Sequence, residues 1–508
     1  MKVKIGDPLS IEDVAAVAMR DEAVEMAPGL EERMAPARAL VEEAVASGRT
    51  VYGITTGIGD LATVRIDPAE AEALQRDIVR SHATGVGPAL PADVVRAMLL
   101  LRARTFAFGV SGVRFALVRN LVAMLNAGIV PVVPAQGSLG ASGDLAPLAH
   151  LALPLMGEGR VDVDGRVVPA AQALDRAGIE PLQLTHKEGL ALVNGTEMML
   201  AIGTLSLYRA ERLARAADIT GAMSVEASLG TDRAFDAELI ALRKHPGAVT
   251  VAANLRQLLE GSAIVASHRD SEHLVQDAYS LRCIPQVHGA YRDGLAYVRR
   301  MLEAELASAI DNPSVMVSRR EVMSGGNFHG EALGLALDHL GLCLAGFATI
   351  AERRIARLVD PDLNNGLPAF LTRDPGRRSG LMIPQYTAAA LVNENRGLCW
   401  PASSDSITSS AGQEDHVSMG ATSARRAAAI LDNTEHVIAI EALTAAQALE
   451  LREPASAPGT GAALAAIRRV SPHLDEDRSL SADIGALRAL ITSGELLATT
   501  EEAVGPLS

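Results

Sequence analysis

The sequence predicts an all-α protein: a bundle of long helices over residues 111–508, preceded by a smaller N-terminal helical domain over residues 1–110. Three observations lead there. Hydrophobic residues make up 48% of the 508-residue chain but aromatic residues only 3%, so aliphatic side chains on closely packed helices must fill the core. Stretches rich in Ala, Leu, Arg and Glu at 197–228, 328–359 and 417–452 keep helical character far longer than an average helix and need partners along their whole length. Strand signals are few and short.

In chain order, Ser10-Ile11-Glu12-Asp13 reads as a capping box that opens a helix. Residues 71–80 and 91–106 continue in helical periodicity. The stretch 160–168 alternates apolar and polar residues around Asp164-Gly165, the pattern of a hairpin with its turn at that pair. The three long helices follow, and weakly polar faces on several of them are expected to be covered by association between subunits. Loops rich in Gly and Pro at 53–59, 137–143 and 360–374 are where chemistry is expected. There is no internal repeat and no low-complexity linker.

A formal net charge of −15 argues against a nucleic-acid footprint or attraction to anionic membranes, which call for clustered Lys and Arg. A small-molecule substrate fits better. Cys283, Cys343 and Cys399 are scattered without metal-ligand spacing, so reduced thiols in a cytoplasmic protein are expected. The first residues lack the apolar run of a signal peptide, and no uncharged membrane span is read elsewhere. His268, His273 and His288 show no His-Glu-x-x-His pattern and read as structural or surface groups, so no metal is expected. No Rossmann or P-loop glycine signature is present.

The most informative segment is Gly137-Ser138-Leu139-Gly140-Ala141-Ser142-Gly143-Asp144. In a tightly bent backbone the nitrogen of Gly143 can attack the carbonyl carbon of Ala141, and loss of two waters, one carrying the Ser142 hydroxyl, leaves a 4-methylidene-imidazol-5-one ring. Such a bend needs small residues, and Gly143 brings no Cβ into the close approach. Asp144 would stand beside the ring as a proton shuttle. Two other readings compete: a turn into a helix capped by Asp144, and a nucleophile elbow. The elbow needs glycine two residues after its serine, where this chain has Asp144.

The run 137–150, with 51–66, 74–87, 188–196, 275–289, 311–313, 324–331 and 380–419, strongly resembles the aromatic amino acid ammonia-lyases and aminomutases, and within them the histidine ammonia-lyases. The resemblance spans most of the chain in one order. It implies a fumarase/aspartase-like architecture, the ring formed from Ala141-Ser142-Gly143 with no external cofactor, and a homotetramer whose active sites draw on more than one subunit. The activity implied is elimination of ammonia from L-histidine to give urocanate. A ring of this kind supplies the electrophile that the reaction lacks, engaging either the substrate amine or its aromatic ring.

Two of only six tyrosines fall in matched motifs, Tyr52 and Tyr279. A tyrosine beside a Gly-rich loop can reach a substrate and take its β-proton; the resemblance gives Tyr52 that role and has Tyr279 assist at the amine and the electrophile. Gln276, Tyr279 and Arg282 recur every third residue, so on a helical turn they would share a face, where the planar fork of Arg282 matches a carboxylate. By resemblance Asn194 contacts substrate and electrophile, and Phe328 packs near the ring. Ser81-His82 and Gln413-Glu414 stand where histidine-acting relatives differ from phenylalanine and tyrosine lyases, and the Glu414 carboxylate suits an imidazole N–H. The chain departs from the usual pattern at Thr55-Thr56-Gly57-Ile58-Gly59, at Gly412 and at Trp400, which alters the pocket rim. Another aryl alanine, a modified histidine or an aminomutase outcome therefore stay as alternatives. A fumarase-type lyase would need a Gly-Ser-Ser-x-Met-Pro loop that this chain lacks, and a non-catalytic helical oligomer would leave the tripeptide unmodified.

Overall fold

Helices account for 60% of the structure and strands for 7%, with no closed sheet among the described residues, as the aliphatic composition predicts. The computed structural model describes residues 2–58, 64–67, 70–140, 143–271 and 275–508. The long stretches become the helices Glu197–Ala227, Glu331–Val359 and Gly420–Leu449. The earlier ones become Ile11–Arg20, Ala71–His82 and Ala92–Ala107. The capping box forms as read: Ser10 Oγ accepts from Asp13 N at 3.1 Å, and Asp13 Oδ2 accepts from Ser10 N at 3.0 Å. The hairpin pairs Arg160–Val163 with Arg166–Pro169, and Asp164 and Gly165 take φ of +52° and +76° at the turn.

The chain divides into two compact units. The first comprises Met1–Tyr208, Arg299–Asp338 and Pro401–Arg425; the second comprises Arg209–Val298, His339–Trp400 and Arg426–Ser508. In the first, helix Ala92–Ala107 is buried from Val94 to Ala107 and packs against Ile11–Arg20 and Phe115–Asn126. This core holds charge. Arg102 pairs with Glu197 at 3.0 Å, and Lys187 Nζ bonds both Asp311 oxygens at 2.8 and 2.9 Å, all four side chains being buried. A buried ion pair survives because each partner meets the other's desolvation cost.

In the second unit, Glu441 joins three long helices. Its carboxylate takes hydrogen bonds from Arg354, from Thr220 Oγ1 at 2.7 Å and from Ser224 Oγ at 2.8 Å. His288, read as a structural group, is buried with Nδ1 at 2.8 Å from Asp218 Oδ1; His273 lies outside the described residues. The three cysteines are free thiols. Among the described residues one helix, Glu331–Val359, is long and apolar enough to cross a membrane by length and composition, against the expectation of no such span. Most of its apolar window, 61%, is buried inside the fold, the situation of a core helix.

Candidate active site

The 137–144 loop is the candidate centre of the site, and hydrogen bonds tie its described residues together. Ser138 Oγ receives Gly140 N at 3.2 Å and reaches Asp144 Oδ1 at 3.0 Å and Gly143 O at 3.3 Å. Gly143 has φ +77° and forms a parallel bridge with Gly195; a Cβ there would collide with the Gly195 carbonyl. Only glycine meets both demands. Ala141 and Ser142 lie outside the described residues.

Asp144 takes the first position before helix Leu145–Ala152, yet its side chain does not cap that helix. Oδ2 instead accepts from Met199 N at 3.0 Å, in the first turn of Glu197–Ala227, while Asp144 N donates to Gly195 O at 2.5 Å. Burial pushes its pKa up to about 7, and the charge of Glu197 adds to the rise; hydrogen bonds from Met199 N and Ser138 oppose it. A group poised there can hold or release a proton near neutrality.

Other loops are anchored on this centre. Gly140 O accepts from Ser418 Oγ at 3.2 Å and Gly330 N at 3.4 Å, and Leu139 O from Met419 N at 2.8 Å. These bonds draw in the loop bearing Phe328, itself half-buried, and the loop bearing Gln413 and Glu414. Gln413 is exposed; Glu414 Oε2 accepts from Ser409 Oγ at 3.1 Å. Asn194 ends helix Glu188–Val193 and is buried, its Nδ2 donating to Asn312 O at 2.9 Å while its Oδ1 has no partner among the described residues.

Tyr52 sits in the turn 51–57, pinned where Val51 N donates to Thr55 Oγ1 at 2.8 Å and Gly53 N to Thr56 Oγ1 at 3.1 Å. Gly53 lies so close to Leu190 that a side chain there would run into it, which seats the turn on the helix leading to Asn194. His82 closes helix Ala71–His82, with Nδ1 2.7 Å from Ile78 O. A carbonyl only accepts, so that nitrogen carries the proton and Nε2 of a neutral ring is the acceptor. The same helix is locked to Glu188–Val193 by Gln75, whose Oε1 accepts from Gly189 N at 2.9 Å and Leu190 N at 3.2 Å.

Gln276, Tyr279 and Arg282 belong to the second unit and form their own cluster. Arg282 Nη2 donates to Gln276 Oε1 at 2.8 Å, and its guanidinium lies over the Tyr279 ring, 4.8 Å from the centroid. Tyr279 and Arg282 share the short helix Tyr279–Arg282, with Gln276 just before it. Sequence reading missed Gln75, Ser138, Glu197 and Asn312. Gln75, Ser138 and Asn312 fall inside matched segments, but nothing in a lone polar residue announces which backbone group it will bond.

The chain is similar to known proteins over most of its length. The aromatic amino acid lyase family model matches residues 9–469. The histidine ammonia-lyase of Symbiobacterium thermophilum is 52% identical over 507 residues, 99% of each chain. The crystal structure of histidine ammonia-lyase from Trypanosoma cruzi superposes with a TM-score of 0.92 at 40% identity, covering 99% of this chain and 96% of that one. Tyrosine aminomutase from Streptomyces globisporus superposes with a TM-score of 0.93 at 39% identity over the full length of both. With the family model matching residues 9–469 and a relative 52% identical over 99% of each chain, this chain belongs to the aromatic amino acid lyase family.

Proposed function

We propose that this chain eliminates ammonia from L-histidine to give urocanate, with a 4-methylidene-imidazol-5-one made from its own Ala141, Ser142 and Gly143 and no external cofactor. The observation that carries the reading is the 52% identity, end to end, with a protein named histidine ammonia-lyase. The residues around the tripeptide fit the ring: Gly143 adopts a backbone closed to any side chain, and the buried Asn194 Oδ1 has no partner among the described residues. When formed, the ring supplies an electrophilic carbon to the substrate's amine or imidazole.

The chain's own groups supply the rest. Tyr52 takes the β-proton, and Tyr279 assists at the amine. Asp144, able to hold a proton near neutrality, shuttles it beside Gly143. Arg282, oriented by Gln276 and by stacking on Tyr279, clamps the substrate carboxylate in bidentate fashion. Asn194 donates or accepts at the electrophile, and Phe328 packs against it. His82 and Glu414 select imidazole, the carboxylate accepting its N–H, with Gln413 at the rim. Association into a homotetramer in the cytoplasm is part of this reading; the outward-facing Val275, Tyr279 and Trp400, exposed to 99%, 73% and 73%, support subunit contacts.

A second reading is favoured by the superposition on tyrosine aminomutase: the same machinery could return ammonia to the β-carbon. Purified protein given L-histidine, L-tyrosine or L-phenylalanine separates the two. Ultraviolet absorption of urocanate from histidine alone supports the proposal. A β-amino acid identified by mass spectrometry replaces it with the aminomutase reading, and coumarate or cinnamate discards the roles of His82 and Glu414.

A further inference from the structure

Ser138 stands outside the tripeptide, yet among the described residues of the loop its hydroxyl bonds on both sides of it. It receives Gly140 N at 3.2 Å, immediately before Ala141, and reaches Gly143 O at 3.3 Å and Asp144 Oδ1 at 3.0 Å immediately after Ser142. The outer side of the loop is held separately, by Ser418 Oγ and Gly330 N on Gly140 O and by Met419 N on Leu139 O. Gly143 is further fixed against Gly195. The two ends of the four-residue span 140–143 are thus drawn toward one oxygen atom. We infer that Ser138 is a positioning residue for self-cyclisation, holding Gly140 and Gly143 in the bend that brings the Gly143 nitrogen to the Ala141 carbonyl.

The inference rests on the ring reading above. In that step the Gly143 N to Ala141 C bond forms. The Ala141 oxygen departs as water with the hydrogens of Gly143 N and Ser142 N, and a second water takes the Ser142 hydroxyl and its α-hydrogen. No oxidant or other reactant is needed. Closing a ring from a flexible loop is limited by how often the reacting atoms meet, so a hydrogen bond that fixes the loop ends acts on the rate of closure.

The test follows ring formation by intact mass, without relying on activity. Chains are synthesised in a short pulse and purified quickly, and the fraction lighter by two waters is followed with time for wild type, Ser138→Ala, Ser138→Thr and Ser138→Val. Ser138→Ala removes all three contacts, and even the net worth of one hydrogen bond predicts mass loss about tenfold slower. Thr and Val have nearly the same shape, so Ser138→Thr should mature faster than Ser138→Val in soluble, folded protein. Equal rates for that pair, or a wild-type rate in Ser138→Ala, overturn the inference. If Ser138→Ala does not fold, the Thr and Val pair decides. A wild-type chain that never loses two waters defeats the ring reading itself, a result distinct from a ring that forms without help from Ser138.

Discussion

Asp144 is fully buried, and that burial, reinforced by the charge of Glu197, raises its pKa to about 7 from an ordinary 3.8. Below pH 3.8 folded and unfolded chains both hold this proton. Between 3.8 and about 7 the folded chain holds more of it, so this residue's contribution to stability declines as pH rises through that window. Asp144→Asn, neutral at every pH, should show a shallower fall in urea midpoint across the same window. A variant whose slope matches wild type would show that the carboxyl does not titrate there. Glu414 calls for a different measurement. Glu414→Gln keeps an acceptor for Ser409 Oγ, 3.1 Å away, but loses the charge that an imidazole N–H would meet. Turnover of histidine, as kcat/KM, should fall about 10- to 100-fold, the scale of a charge-assisted hydrogen bond. Any residual phenylalanine turnover should change much less, and equal losses would remove Glu414 from substrate selection.

Helix Glu188–Val193 is only six residues long, too short to stand on local propensity. Its first turn is met by Gln75 Oε1, and Gly189 lies so near the Gln75 backbone that a Cβ would collide with it. Gln75→Leu leaves the Gly189 and Leu190 amides without that acceptor and should cost about 1–3 kcal/mol in urea unfolding; an unchanged midpoint would mean that water replaces the bond at no cost. The long helices Glu197–Ala227, Glu331–Val359 and Gly420–Leu449 were legible to within a few residues because periodicity is a local property. Ile284–Leu306 is equally regular but was not read, since Pro285, Gly289 and Gly294 interrupt its pattern. Those glycines serve neighbours: a Cβ at Gly289 would meet Ala248, and one at Gly294 would meet Cys343 and His339. A helix propensity scale prices the glycine and cannot see the contact.

Across the whole molecule, charge in the interior is the costliest choice. Lys187 and Asp311 are fully buried, and burial lowers the lysine's pKa while Asp311 opposes the drop. Asp311 is followed by Asn312, whose carbonyl holds Asn194 at 2.9 Å, so the pair also fixes the backbone beneath the site. Lys187→Met should destabilise the protein by about 3–5 kcal/mol, since it strands a buried carboxylate, and adding Asp311→Leu should recover most of the loss. Calorimetry reads both. A double variant no more stable than the single one would show that Asp311 has another essential partner.

By itself the sequence determined the helical class, the positions of the long helices, and the loop whose small residues permit backbone chemistry, because each depends on neighbours within a few turns. It placed Tyr279 and Arg282 on one helical turn but expected Gln276 on it too; the backbone is extended at Ala278 and the helix starts only at Tyr279, so Gln276 joins the pair through its bond from Arg282 instead. Only the tertiary structure decided that Asp144 turns from its own helix to Met199, that Gln75 seats the helix before Asn194, and that the loops of Phe328 and Glu414 are tied to Gly140 and Leu139. These are bonds to backbone atoms, which every residue carries alike, so the sequence holds no mark of the partner until the chain has folded around it.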